Sequence, residues 1–424
     1  MEQTHPALHY VQIDEKRCTG CVLCMKACPV KAIRVRDRGV AEIVGACIDC
    51  GECIRVCPHG AVKAITTGSD PSKLSRYTII SASPVLYAQF DEEVMPNEVL
   101  LALRKVFRYI YDQAYIHELY NVAVELHLKE NRGKEGAVRP LISPVCPVVN
   151  RLIRYRFPSL LKNIIPIMTP REIAARELKK RLYCEKVFDT SEFGVYHITP
   201  CSAKMGSINY PMFLDSSYLD GALGINEVYE LISKNLRDLE EDVILHRSSG
   251  VGIGWGVSGG EIAGLEDGNF LAVSGLSETI RYLEKIEMGL FENIEYFEFR
   301  ACLEGCIGGP LTVADRYQAK RTVARFVRMF GHEKRLKYAQ AEKAYHDGWF
   351  FNEGRKIPLA ATNRKLSLSD ALARQKKIEE VFRKLPGKEC GLCGSPDCRT
   401  FAEDVADGQV GMERCVLLNR EKTK

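Results

Sequence analysis

With 424 residues, 46% hydrophobic and 27% charged, the chain has the composition of an ordinary soluble protein and the length for roughly two to four domains. No apolar run approaches the roughly 20 residues that span a bilayer, and Met1-Glu2-Gln3-Thr4-His5 opens neither a basic nor an apolar leader, so a cytoplasmic protein with no membrane contact is expected. A net charge of +4 without a dense basic block gives no reason to expect nucleic acid.

Cysteine is the informative residue. Seventeen thiols without an export signal argue against a disulfide framework and for metal ligation in a reducing compartment. Sixteen of them fall into regular constellations, leaving Cys184. The first constellation is an internal repeat: Cys18-x2-Cys21-x2-Cys24-x3-Cys28-Pro29 returns 29 residues later as Cys47-x2-Cys50-x2-Cys53-x3-Cys57-Pro58. This is the bacterial two-cluster ferredoxin signature, in which three thiolates wrap one cubane and the fourth crosses to the other. Cys18, Cys21, Cys24 and Cys57 are therefore assigned to one 4Fe-4S cluster, and Cys28, Cys47, Cys50 and Cys53 to the second. Structural zinc is the rival, but it favours two pairs of cysteines. Residues 1–74 are read as this electron-carrying module, ferredoxin-like and α+β.

A polar junction, Thr66 to Arg76, follows. Tyr77-Thr78-Ile79-Ile80-Ser81-Ala82-Ser83-Pro84-Val85 reads as a buried strand ending in a tight loop, and Glu98 to Leu126 as one amphipathic helix or two. Leu141-Ile142-Ser143 leads to the Cys146 loop, Val148 to Leu161 is helical in pattern, Val195-Tyr196-His197-Ile198 leads to Cys201, and Val243-Ile244-Leu245 leads to a glycine-rich run. Strands that repeatedly deliver a loop residue and then a helix indicate an α/β layered domain, here residues 75–350, with its chemistry at the strand ends. The glycine run contains a formal GxGxxG at Gly254, Gly256 and Gly259. Serine and glycine continue on both sides of it, so a tight loop or close backbone approach to another ligand is preferred over a dinucleotide site. Ala319 to Tyr345 reads as solvated helix and residues 351–375 as linker. A helix with Leu372, Ile378, Val381, Phe382 and Leu385 on one side ends at Pro386-Gly387 and opens the final domain, residues 376–424. Its Cys390-x2-Cys393-x4-Cys398-x16-Cys415 suits a further 4Fe-4S cluster, with zinc as the rival.

Four cysteines remain in the middle. Cys146 lies in Ser143-Pro144-Val145-Cys146-Pro147, Cys201 in Thr199-Pro200-Cys201-Ser202-Ala203-Lys204, and Cys302 and Cys306 in Ala301-Cys302-Leu303-Glu304-Gly305-Cys306-Ile307-Gly308-Gly309. Singly, such thiols are most often buried small residues. In this order the three segments resemble the signatures of the FeFe hydrogenases, over about residues 77 to 340. The resemblance implies two α/β lobes around a buried H-cluster. Cys146, Cys201, Cys302 and Cys306 would hold a 4Fe-4S cube, and Cys306 would bridge to a diiron subcluster carrying carbon monoxide, cyanide and a dithiolate amine bridge. Lys204 would bind a cyanide nitrogen, a role suited to a compact ammonium donor. Ser83-Pro84, Thr169-Pro170-Arg171 and Trp255 with Ser258-Gly259-Gly260 correspond to loops lining that pocket.

Departures from the family pattern bear on function. Catalytic members carry a proton-relaying cysteine where this chain has Val145, and valine cannot exchange a proton. Thr199 and Arg300 stand where methionine is usual, and the acidic residues of the usual proton path have no clear counterpart around Val122 to Leu126. Glu261 is the foremost candidate for a substitute donor, ahead of Glu304 and Cys184. With the C-terminal motif, which resembles the 4Fe-4S domain of corrinoid and Rnf-type electron-transfer subunits, these departures resemble the branch of the family read as sensory. The expected function is reversible oxidation of H2 and reduction of protons at low turnover, serving hydrogen sensing or redox regulation. Electrons would pass through accessory 4Fe-4S clusters to a redox protein such as ferredoxin or to a downstream signalling protein, and a homodimer is compatible with this reading. The alternative is a hydrogenase-like iron–sulfur protein without the diiron subcluster, acting in electron transfer or cluster assembly.

Overall fold

Residues 9–184, 193–237, 239, 243–351 and 367–422 are described in the computed structural model. The N-terminal repeat runs β1 (Val11–Ile13), α1 (Leu23–Ala27), β2 (Ile33–Val35), β3 (Ala41–Ile43), α2 (Glu52–Arg55) and β4 (Val62–Ala64). β1 pairs antiparallel with β4, and β2 with β3. Its cysteine loops leave little room for strand, so a small core of Val11, Met25, Ile33, Ala41 and Val62 closes around Cys24 and Cys53. Gly20, inside the first loop, adopts φ +67°, and a Cβ there would meet the Gly39 carbonyl oxygen at 2.3 Å, so only glycine fits.

The second stretch contains β5 (Tyr77–Ala82), α3 (Pro96–Val106), β6 (Tyr109–Asp112), α4 (Ala114–Arg132), β7 (Leu141–Ile142), α5 (Pro147–Arg156), α6 (Pro170–Cys184), β8 (Phe193–Thr199), α7 (Ser202–Asn209), β9 (Gly221–Gly224), α8 (Ile225–Asn235), α9 (Gly250–Gly254), β10 (Phe270–Ser274), α10 (Leu276–Glu287), β11 (Tyr296–Arg300), α11 (Arg316–Phe330) and α12 (Tyr338–His346). Two parallel sheets result, ordered β6-β5-β8-β9 and β10-β11-β7. The central strands of the first sheet are apolar on both sides because helices cover both faces. Ile80, Tyr196 and Ile198 pack toward α3, α8 and α11, while Ile79 and Val195 pack toward α6 and α7.

Three sequence expectations change here. The stretch 98–126 is two helices with β6 between them, since Tyr109-Ile110-Tyr111 suits a pleated surface better than a helix. Val243-Ile244-Leu245 joins no sheet among the described residues; its chain is held by the Asn97 side chain, which accepts from the Leu245 N–H at 2.8 Å. The glycine run opens as α9 rather than a loop, and the close approach it permits is to other backbone. A Cβ on Gly250 would meet the Gly331 and Val327 carbonyl oxygens at 2.6 Å, and one on Gly252 would meet that of Ala114 at 2.3 Å.

At the C-terminal end come α13 (Leu368–Phe382), α14 (Cys398–Ala406) and α15 (Val416–Lys422). Of the expected linker, residues 352–366 lie outside the described residues. α13 begins within its remainder, where the Ser367 side chain caps it. Ile378 and Val381 reach the core with Phe401 and Ala402, whereas Leu372 is 63% exposed. The N- and C-terminal modules, read from the sequence as separate domains, form one compact unit, and Ile65–Ala360 form the other. No helix among the described residues is long and apolar enough to cross a membrane.

Candidate metal centre

Four strands of the central unit end at the loops singled out in the sequence: β5 at Ser83-Pro84, β7 at the Cys146 loop, β8 at Cys201 and β11 at Cys302. Clustering functional loops at the C-terminal edge of parallel strands is the usual consequence of this topology. The three cysteine loops are fastened to one another and to the glycine run. The Ser143 N–H donates to the Phe297 carbonyl at 3.0 Å, and the Leu311 N–H to that of Pro200 at 2.9 Å. Ser258 N–H donates to the Glu304 carbonyl at 3.0 Å. Glycine is required at two of these seams, since a Cβ on Gly309 would lie 2.3 Å from the Pro200 oxygen and one on Gly305 2.5 Å from the Ser258 nitrogen. Burial pushes the Cys146 and Cys201 thiols up, and neighbouring Cys306 raises both further. Such thiols become thiolates when a metal supplies the balancing charge.

Behind these loops lies a buried charged group. The Arg300 guanidinium donates from Nη2 to Glu261 Oε2 at 2.7 Å, sits 3.4 Å from Glu298 Oε1 through Nε, and lies 4.9 Å over the Trp255 ring. Glu261 also accepts from Ser143 Oγ at 3.0 Å and from the Tyr296 hydroxyl at 2.5 Å. Trp255 Nε1 donates to Asn121 Oδ1, whose amide donates in turn to the Glu261 carbonyl, at 2.8 and 2.9 Å. Glu298 accepts from the N–H groups of Gly259, Glu261 and Ile262. Burial raises the Glu298 carboxyl to about 7, with Arg300 opposing and Glu261 adding to the rise. Although burial opposes its charge, Glu298 and Glu261 hold Arg300 well above the usual guanidinium range.

On the Lys204 side the pocket is polar and buried. Ser83 Oγ accepts from the Val85 N–H and caps the turn begun by Pro84. Pro170 opens α6, and Arg171 donates to the Val145 carbonyl and to Ser207 Oγ at 3.4 and 3.1 Å. Val145 is itself buried in the apolar cluster with Ile165 and Met168. Two histidines join this group: His197 on β8, beside Ser81 in register, and His117 on α4, whose ring lies 4.4 Å from Trp255. Burial, reinforced by Lys204, pushes His117 down to about 3 and His197 well below its ordinary value. Both ring nitrogens of His197, Arg171 Nε, Thr169 Oγ1 and Arg300 Nη1 have no hydrogen-bond partner. Each such buried group costs roughly 1–3 kcal/mol when unsatisfied. Orphaned donors beside buried cations and four thiols fit a group with anionic or strongly accepting ligands.

A family model for the iron only hydrogenase large subunit, C-terminal domain, matches residues 76–266. A 4Fe-4S dicluster domain matches residues 10–58, and a putative Fe-S cluster domain residues 385–417. Residues 76–266 are thus similar to the C-terminal domain of the iron only hydrogenase large subunit. The NADP-reducing hydrogenase subunit HndD of Solidesulfovibrio fructosivorans is 22% identical over 292 residues, 59% of this chain and 49% of that protein, so the chain spans about half the length of this curated relative. A ferredoxin of Pyrobaculum islandicum is 36% identical over 89 residues, 21% of this chain and 75% of that protein. The fold matches that of an apo FeFe hydrogenase, HydA1 from Chlamydomonas reinhardtii, with a TM-score of 0.52 at 12% identity, covering 69% of this chain and 96% of that one.

Within the first unit the thiols of the N-terminal repeat lie in two groups. Cys18, Cys21, Cys24 and Cys57 line one cavity. Cys53 senses Cys47 and Cys28, and Cys50 senses Cys53, Cys28 and Cys47, which places the second set together. Backbone N–H groups of Ala32, Ala41 and Ala61 point at the sulfurs of Cys28, Cys18 and Cys57. Such donors set cluster potentials. Cys390, Cys393, Cys398 and Cys415 line another cavity.

Other expected residues stand apart from the central site's buried groups. Glu304 pairs with Lys320 at 2.6 Å, and Cys184 is exposed at the end of α6. The sequence reading missed Glu298, His117 and His197. His197 sits in an apolar strand pattern, where a histidine interrupting the run is the one visible signal.

Proposed function

We propose that this chain is an FeFe-type hydrogenase of low turnover, reversibly oxidising H2 and reducing protons, and that it serves hydrogen sensing or redox regulation. Cys146, Cys201, Cys302 and Cys306 would hold the cubane and Cys306 the bridge to the diiron subcluster. When bound, that group supplies the site at which dihydrogen is split or formed. Lys204 and Arg171 would hold its anionic ligands, and Ser83, Pro84, Pro170, Trp255 and Ser258 would shape and dry the pocket. The observation carrying this reading is the set of orphaned buried groups on Arg171, His197 and Thr169 beside Lys204, since a protein without such ligands has no use for them.

Val145 sets the low turnover, because a valine at the relay position transfers no proton. Glu261 is proposed as the proton-carrying residue instead: its carboxylate accepts from Ser143 Oγ, which in turn accepts from the Val145 N–H at 3.3 Å. Glu261→Gln should lower hydrogen activity at least about tenfold, the lower range of general acid–base effects, with iron content unchanged. The decisive measurement is infrared spectroscopy after maturation with the diiron cofactor. Carbonyl and cyanide bands are expected; their absence from fully iron-loaded protein overturns the proposal. Val145 favours the second reading, an iron–sulfur protein lacking the diiron subcluster, and that spectrum would be its signature.

A further inference from the structure

The C-terminal cysteine motif is built onto the first half of the ferredoxin repeat. The Val35 N–H at the end of β2 donates to the Gly394 carbonyl at 3.0 Å, and Gly394 adopts φ +82° where a Cβ would lie 2.0 Å from the Val35 oxygen. Arg34 forms a two-pronged pair with Asp404 at 2.7 and 2.9 Å, both side chains less than a tenth exposed, and Ser395 Oγ donates to the same carboxylate at 2.7 Å. Lys31 pairs with Asp397, whose carboxylate caps α14 directly before Cys398. Arg414, directly before Cys415, donates to the Cys393 carbonyl at 2.9 Å and to Asp37 at 2.6 Å. Finally, a Cβ on Gly391, between Cys390 and Cys393, would sit 3.1 Å from the Met25 terminal methyl carbon.

Cys393, Cys398 and Cys415 are thus each tied through a neighbour to the segment 25–37, and Cys390 through Glu389, whose carbonyl accepts from Lys26 Nζ at 3.2 Å. The other side of that segment belongs to the first ferredoxin site: Met25 follows Cys24, and Val35 lines the cavity of Cys18, Cys21, Cys24 and Cys57. A buried bidentate ion pair contributes little net stability but strongly penalises any arrangement that separates its charges. The contact is therefore a fixed register rather than a loose tether.

We propose that Met25 and Val35 form an electron-transfer bridge between the Cys390, Cys393, Cys398 and Cys415 site and the Cys18, Cys21, Cys24 and Cys57 site, so that the C-terminal 4Fe-4S cluster is a fixed third member of the ferredoxin wire. One electron leaves the reduced C-terminal cluster, which is oxidised by one unit, and reduces the first ferredoxin cluster by one unit; no proton or bond changes. A low-potential one-electron donor of the ferredoxin class, or dithionite in the test, resupplies it. The inference does not depend on hydrogen chemistry and is testable in full-length protein made without the diiron cofactor.

Reduced protein should show electron paramagnetic resonance lines split by magnetic interaction between these two clusters. Cys393→Ala should remove the interaction together with one cluster's iron, and Asp404→Asn should weaken it at unchanged iron content. If Asp404→Asn fails to fold, double electron resonance on the unaltered protein measures the same coupling directly. A spectrum equal to the sum of uncoupled clusters overturns the proposal, as does a C-terminal site that takes up zinc and is silent.

Discussion

Arg300 is the residue on which the buried electrostatics of the central site turn. It is fully buried between Glu261 and Glu298, where the family pattern has methionine. Arg300→Met would leave two carboxylates facing each other in the interior, and breaking a buried pair in this way costs about 3–5 kcal/mol. Chemical denaturation should show that loss, growing larger as pH rises through the Glu298 range. Glu298 itself gives a pH signature. Its folded carboxyl lies near 7 against an ordinary 4.5, so the folded state binds more protons across that window and stability falls as pH rises through it. Glu298→Gln should remove that slope, read as flatter denaturation midpoints between these pH values. His117 acts with the opposite sign, since its folded value of about 3 means that stability is lost as pH falls below its ordinary 6.5. The sequence made Val145 and Glu261 visible because they sit inside or beside a motif. Glu298 and Arg300 gain their meaning from pairing across loops, and a single sequence does not state pairing.

Among elements, the strand ends and glycine seams position the cysteines. Gly309 closes against the Pro200 oxygen with no room for a methyl group. Gly309→Ala should push the Cys201 and Cys306 loops apart and lower iron retained by the central site, with far-ultraviolet circular dichroism unchanged because both sheets remain intact; iron assay and dichroism on the same sample check this. β5, β7 and β8 were legible as apolar runs ending at a loop residue, whereas β9, β10 and β11 were not read. β6 was not, because its Tyr109-Ile110-Tyr111 continues the apolar spacing of α3, and period alone does not separate a short buried strand from helix. α9 was also hidden, because glycine opposes helix by propensity, and here packing against α11 and the start of α4 overrides that preference.

At the scale of the whole molecule, the N- and C-terminal ends of the chain share one compact unit although more than 300 residues separate Ala64 from α13. Deleting residues 367–424 would strip Asp404 and Asp397 from Arg34 and Lys31 and expose Cys24's helix. The truncated protein should lose iron from the ferredoxin repeat several-fold faster in chelator; equal rates would mean that the two modules are energetically independent. The cysteine spacing announced both modules but not their union. The residues that join them, Lys31, Arg34, Asp397 and Asp404, look like ordinary surface charges until the fold pairs them and buries all but Lys31.

By itself the sequence determined the metal chemistry, because thiol spacing within short loops is a local property and three wrapped thiolates plus one distant partner suit a cubane. It also placed at position 145 a side chain without an exchangeable proton, which transfers none wherever it lies. Tertiary structure alone decided what surrounds those cysteines: the Glu261–Arg300–Glu298 group, the buried imidazoles of His117 and His197, and the seat of the C-terminal motif on Met25 and Val35. Burial and long-range pairing create these features, and both depend on which distant segments the fold brings into contact.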